Sequence, residues 1–164
     1  MEKMQLVQLS DIHVGSFFKQ QVFDTVVEEV NKLNPDAIII TGDLTDEGLS
    51  YQFEYARTQI KKFTCSNIIV LAGNHDYRHT GYLVFKKFFP SSNQQIYEFD
   101  DAVIMTLGTA RPDRDEGEVG YRQNLWKSCC SFSSSYVMFF CCYTICTSHD
   151  CSFICRNETT TKVL

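Results

Sequence analysis

Proline, glycine and tryptophan are scarce in this sequence of 164 residues, with three, eight and one respectively. So little Gly and Pro excludes a collagen-like chain and leaves no flexible linker between separate units. Long hydrophobic runs are also missing. The longest, Tyr136 to Cys146, falls short of the roughly 20 residues that span a bilayer. Residues 1–13 lack the apolar core of a secretory signal, so a reducing, cytoplasmic location is the expectation. An excess of positive charge is absent too: 15 Lys and Arg stand against 20 Asp and Glu, a net charge of −5. Such a chain has no general attraction for nucleic acid or a membrane surface, and a phosphate-bearing partner would need a local site. What remains is ordinary globular composition, 44% hydrophobic and 21% charged, of single-domain length.

The composition changes abruptly near residue 127. The last 37 residues hold four charges (Asp150, Arg156, Glu158 and Lys162) but seven of the eight cysteines, interleaved with Ser and Phe. The chain therefore divides into residues 1–127 and a Cys/Ser/Phe-rich tail, 128–164. None of the tail's cysteines forms the Cys-x2-Cys pair of structural zinc sites.

Residues 1–127 alternate between strand and helix patterns. Met4–Leu9 is a candidate strand. Phe17–Leu33 places Val22, Phe23, Val26, Val27, Val30 and Leu33 on one helical face, and Asn34-Pro35 ends it. Ala37–Ile40 is apolar at every position, as is Ile68–Ala72, which suits strands buried on both faces. Between them, Leu49–Phe63 repeats apolar residues with helical period. A short helix at Tyr82–Phe89 and two strands, Gln95–Phe99 and Ala102–Leu107, turning at Asp100-Asp101, follow. The β-α-β-α-β order predicts an α/β fold with a parallel sheet.

Each of the first three strands runs into residues able to bind metal. They are Asp11-Ile12-His13, then Gly42-Asp43-Leu44-Thr45-Asp46, then Gly73-Asn74-His75-Asp76. Singly, each is no more than a turn sequence. In a parallel sheet, however, the carboxyl ends of adjacent strands converge on one crevice. Asp, Asn and His offer hard oxygen and borderline nitrogen donors, a mixture suited to manganese, iron or zinc. The glycines before Asp43 and Asn74 are read as giving the backbone room to turn. Asp46 and Glu47 are either outer partners of the site or the N-terminal cap of the next helix. Arg78 and His79 either approach substrate phosphate or belong to a solvated loop. Arg111, Arg114 and Arg122, interleaved with Asp113, Asp115, Glu116 and Glu118, read as a solvated charged loop. Trp126 reads as core.

Asp11-x-His13, Gly42-Asp43-x-x-Asp46 and Gly73-Asn74-His75-Asp76 together resemble the first three motifs of the calcineurin-like metallophosphoesterases. Glu116-Gly117-x-x-Gly120-x-x-Gln123-x-x-Trp126 resembles the small phosphodiesterase and phosphohydrolase branch. The resemblance covers about residues 4–126. It implies the N-terminal part of an αββα sandwich, two divalent metal ions and a phosphate-ester substrate, nucleotide-derived in some members. By the same resemblance Asp11 and His13 would bind the first metal, Asp43 would bridge both and Asn74 would bind the second. His75 would contact the phosphoryl group or protonate the leaving oxygen, with Asp76 supporting it.

The later family motifs are missing. No Gly-His-x-His occurs, and only His149 follows residue 79. Three readings of the tail stand open: a shift of reading frame near Trp126, a diverged tail in which Cys141, Cys142 or His149 replaces the lost ligands, or a first half retained for binding alone.

Overall fold

The computed structural model describes residues 4–91, 94–100, 102–112 and 114–129, and the backbone of the strands at 137–141 and 161–163. In chain order the elements are β1 (Leu6–Leu9), α1 (Gln20–Leu33), β2 (Ala37–Thr41), α2 (Ser50–Ile60), β3 (Ile68–Leu71), α3 (Gly81–Phe88), β4 (Ile96–Glu98), β5 (Val103–Leu107), α4 (Tyr121–Cys129), β6 (Val137–Cys141) and β7 (Thr161–Val163). They build two sheets. The first has the order β3-β2-β1-β7, with every neighbouring pair parallel. The second has the order β4-β5-β6, antiparallel then parallel.

The apolar runs divide their side chains between two cores, because successive residues of a strand face opposite sides. Leu6, Ala37, Ile39 and Ile69 pack with Ile104 of the second sheet, against Tyr97 and Phe99. Val7, Leu9, Ile38, Ile40 and Val70 face the helices, meeting Phe23, Val27 and Val30 of α1, Phe53, Ala56 and Ile60 of α2, and Phe85 of α3. Sheet against sheet with helices outside is the α/β arrangement expected from the sequence. Burial on both faces is why β2 is apolar from Ala37 to Ile40, with the polar Thr41 only at its end.

Several boundaries moved. Phe17 and Phe18 precede α1 and do not belong to it; Phe18 closes a turn onto Gly15, and the Phe17 side chain is 90% exposed. Val22 is exposed because it lies one residue step, about 100°, from Phe23 on the helix. Asn34 ends α1 in the left-handed conformation (φ 46°), its N–H donating to Asn31 O, and Pro35 follows. Asp46 and Glu47 do not cap α2. Gln52 reaches back instead, its Oε1 accepting the N–H groups of Glu47 and Leu49 at 3.1 and 3.3 Å. Trp126 is half-buried, on a helix with no fully buried residue, and is not a core residue. Phe99 and Ala102 exchange two backbone hydrogen bonds between β4 and β5, and Asp101, placed in the expected turn, lies outside the described residues.

Candidate metal centre

The parallel register sets the carboxyl ends of β1, β2 and β3 side by side, with Leu9 opposite Ile40 and Thr41 opposite Leu71. The loops leaving β1 and β2 continue to pair beyond the strands. Asp11 N donates to Gly42 O, His13 N to Asp43 O at 2.9 Å and Val14 N to Leu44 O at 2.7 Å, and Asp46 N returns to Val14 O. This interlock holds three non-glycine residues at positive φ: Asp11 at 57°, His13 at 48° and Asp43 at 49°. Such conformations cost free energy and persist only where surrounding structure enforces them, which happens most often at functional sites. All three are residues singled out from the sequence.

Ligand-capable atoms of Asp11, His13 and Asp43 lie within 4.8 Å of one another. His13 Nε2 is 3.6 Å from Asp11 Oδ1. The His13 imidazole facing it holds the Asp11 carboxyl below the usual carboxylate range, and the Asp11 carboxylate in turn raises the His13 imidazole above its ordinary value. Asp43 is nearly fully buried, and burial pushes its carboxyl up despite the His75 N–H that donates to Oδ1 at 3.0 Å. Two acidic groups beside an imidazole, one of them desolvated, make a negatively charged recess at the strand tips.

Asp46 joins a second group of donors with His13 and His75. Its Oδ1 accepts from His13 Nδ1 at 3.0 Å, and its backbone carbonyl accepts from His75 Nδ1 at 2.9 Å. A carbonyl oxygen only accepts, so His75 Nδ1 is the donor, and Nε2 is the ring nitrogen that Asp46 does not engage. The two imidazoles meet edge to face with centroids 4.7 Å apart. One residue thus sets both rings, as partners of metal-binding histidines commonly do. In the sequence Asp46 stood in the second strand-tip motif, with its role left open between outer partner and cap.

Asn74 is 7% exposed. Its Nδ2 donates to Asp115, while its Oδ1 is buried without a hydrogen-bond partner. A buried carbonyl oxygen without a hydrogen-bond partner, on the residue just before His75, is a donor of the type a divalent ion takes, so Asn74 fits such an ion. Asp76 does not support the His75 ring. It is fully buried and accepts from Leu44 N, Thr45 N, Thr45 Oγ1 and Gly73 N at 2.8–3.1 Å, tying the loops after β2 and β3 together. Gly42 takes a positive φ of 104°, as a turn requires, but Gly73 does not. Gly73 is required for space: a methyl group there would fall on the Asp43 carboxylate and backbone nitrogen. Gly73→Ala is therefore expected to destabilise the protein by about 1–3 kcal/mol, read as a lower urea midpoint at unchanged slope. A variant with wild-type midpoint would refute that packing.

The remaining candidates are occupied structurally. Arg78 Nη1 donates to Asp46 O and Glu47 Oε1, and His79 Nε2 pairs with Glu47 Oε2 at 3.1 Å. Arg111 pairs with Glu118 at 3.0 Å. Cys65 and Cys129 carry free thiols. Cys142 and His149, considered as replacement ligands, lie outside the described residues, and of Cys141 only the backbone is described. Among the described residues no helix is long and apolar enough to cross a membrane.

Comparison with known proteins agrees with this geometry. The family model for calcineurin-like phosphoesterase matches residues 4–142, extending past residue 126 through β6. The chain is 29% identical over 135 residues to a probable cyclic nucleotide phosphodiesterase of Rhodococcus erythropolis, covering 74% of this chain and 45% of that protein. It is 28% identical over 95 residues to the uncharacterized metallophosphoesterase YkuE of Bacillus subtilis, covering 57% and 33%. It is 38% identical over 74 residues to a transmembrane protein with metallophosphoesterase domain of Danio rerio, covering 45% and 17%. The matched region thus spans less than half the length of each of these relatives. With its strand-tip motifs, its parallel sheet and the match over most of its length, the chain belongs to the calcineurin-like phosphoesterase family.

Proposed function

We propose that this chain binds divalent metal at the tips of β1–β3 and hydrolyses phosphate esters there. Asp11, His13 and Asp43 hold one ion, Asp43 and Asn74 share the second, and His75 is the catalytic side chain. The observation that carries this reading is the gathering of Asp11, His13 and Asp43 donor atoms within 4.8 Å on an enforced backbone. Manganese, iron or zinc suits the donors, and such ions when bound neutralise phosphoryl oxygens and acidify a water molecule. Asp43 contributes a desolvated carboxylate, whose interaction with a cation is strengthened by the low local dielectric. Asp46 fixes His75 through Nδ1 and leaves Nε2 to deliver a proton to the departing oxygen once the ring is doubly protonated. The Rhodococcus relative's name favours a nucleotide-derived phosphodiester over other esters. In this reading the chain works in the cytoplasm, without general affinity for membranes or nucleic acid, in keeping with its net charge of −5.

One observation favours a second reading. Among the described residues Asn74 and Asp43 are the only candidates assigned to the second ion, below the three protein ligands typical of catalytic sites. A remnant of the fold that holds one metal or a phosphate without turnover has the same appearance. The domain proposal is linked to this point: residues 1–127 carry the family motifs, the family match runs on to residue 142, and a shift of reading frame within 128–164 is the proposed source of that tail's charge-poor composition.

Hydrolysis of bis-p-nitrophenyl phosphate with added manganese separates the readings. Manganese-dependent turnover, lost in both Asp43→Asn and His75→Ala, is the expected result. Manganese binding without turnover supports the remnant instead.

A further inference from the structure

We propose that Asp115 is the positioning residue for Asn74, fixing which end of that amide is presented to a cation. The inference rests on the assignment of Asn74 as a metal ligand above. The two ends of an asparagine amide are nearly equal in size but opposite in function, and only the carbonyl end binds a cation. A carboxylate can only accept, so Asp115 Oδ1, 3.2 Å from Asn74 Nδ2, selects the NH2 end for itself. Asn74 Oδ1 is then the end left over, buried and without a hydrogen-bond partner.

Asp115 lies 41 residues from Asn74, outside all three strand-tip motifs. It stands on an exposed loop, yet that loop is tied down. Glu118 N donates to Thr109 O at 2.9 Å, and Arg111 pairs with Glu118. Gln123 clamps the loop's origin, its Oε1 accepting from Gly108 N at 2.9 Å and its Nε2 donating to Gly108 O at 2.7 Å. This gives a physical role to Gln123 of the Glu116…Trp126 pattern: it holds the loop that delivers Asp115. Asp115 and Asn74 share the wall of a polar cavity of about 380 Å³ with Glu47, Arg78, His79 and Arg114. Arg78 and His79 are already engaged by Glu47, so they do not draw Asp115 away.

The test compares Asp115→Ala with Asp115→Asn in the full chain, since asparagine keeps an acceptor oxygen and alanine does not. The first readout needs no metal. The Asn74 side-chain NH2 signals in nitrogen-15 NMR should match wild type in Asp115→Asn and shift, with loss of protection, in Asp115→Ala. The second is manganese titration followed by electron paramagnetic resonance. Asp115→Ala should weaken the second manganese about 10–100-fold and spare the first, and Asp115→Asn should restore it. Unchanged Asn74 signals in Asp115→Ala, or equal losses in both variants, would overturn the proposal. If the wild type takes up one manganese only, the two-ion assignment fails, and the Asn74 signals alone still decide the role of Asp115.

Discussion

Asp76→Ala is expected to destabilise the metal-free protein by about 4 kcal/mol or more, lowering its melting temperature by roughly 10 °C. The reason is the number of donors that depend on one buried carboxylate. Three backbone N–H groups and the Thr45 hydroxyl point at Asp76, and alanine would strand all four. Each stranded buried donor costs on the order of 1–3 kcal/mol, against a total stability of roughly 5–15 kcal/mol for a domain. The loops involved are those carrying Asp43 and Asn74, so the site should loosen with the fold.

The same residue has a pH signature. Burial pushes the Asp76 carboxyl from 3.8 up to about 6, with the hydrogen bonds from Gly73, Thr45 and Leu44 opposing but not cancelling it. The native state therefore holds this proton more tightly than the unfolded chain does. Its contribution to stability is full below pH 3.8 and falls as pH rises to about 6, by about 3 kcal/mol. Urea unfolding followed by circular dichroism in EDTA should show a larger fall in wild type than in Asp76→Ala, which keeps the part due to Asp43. Equal midpoints for the two proteins at pH 7 would contradict the bracing role.

Asp43→Asn should act in the opposite direction. Burial raises the Asp43 carboxyl, and the Asp11 charge nearby raises it further, so the ionised group is a cost to the metal-free fold at neutral pH. Asparagine removes the charge while its oxygen still accepts the His75 N–H. The metal-free variant is expected to be more stable by about 1 kcal/mol, a familiar exchange of function for stability. Manganese at a hundredfold excess over its dissociation constant should stabilise wild type by about 3 kcal/mol and the variant hardly at all. Thermal melts with and without manganese measure both effects. A variant that responds to manganese as wild type does would remove Asp43 from the centre.

The two predictions differ in how far the residues could be read beforehand. Asp43 was visible in the sequence because it follows an unbroken apolar run and a glycine, a local pattern that marks a strand tip. Asp76 was visible as part of a motif, but its partner was misread: it ties the loops after β2 and β3 and leaves the His75 ring to Asp46. Asp46 likewise carried a capping pattern, and Gln52 took that role. A side chain's partner depends on which donors the fold brings near, and the Asp76 and Asp115 partners lie about 31 and 41 residues away.

By itself the sequence determined the α/β alternation, the strands buried on both faces and the chemistry gathered at their ends, since these depend on periodicity and on residue type at neighbouring positions. The tertiary structure alone decided that Asp11, His13 and Asp43 sit at positive φ, that Asp46 sets both imidazoles, and that a distant loop brings Asp115 to Asn74. Those features come from interlocked loops and long-range hydrogen bonds, whose partners are chosen only when the packed sheets bring the strand tips and loops together.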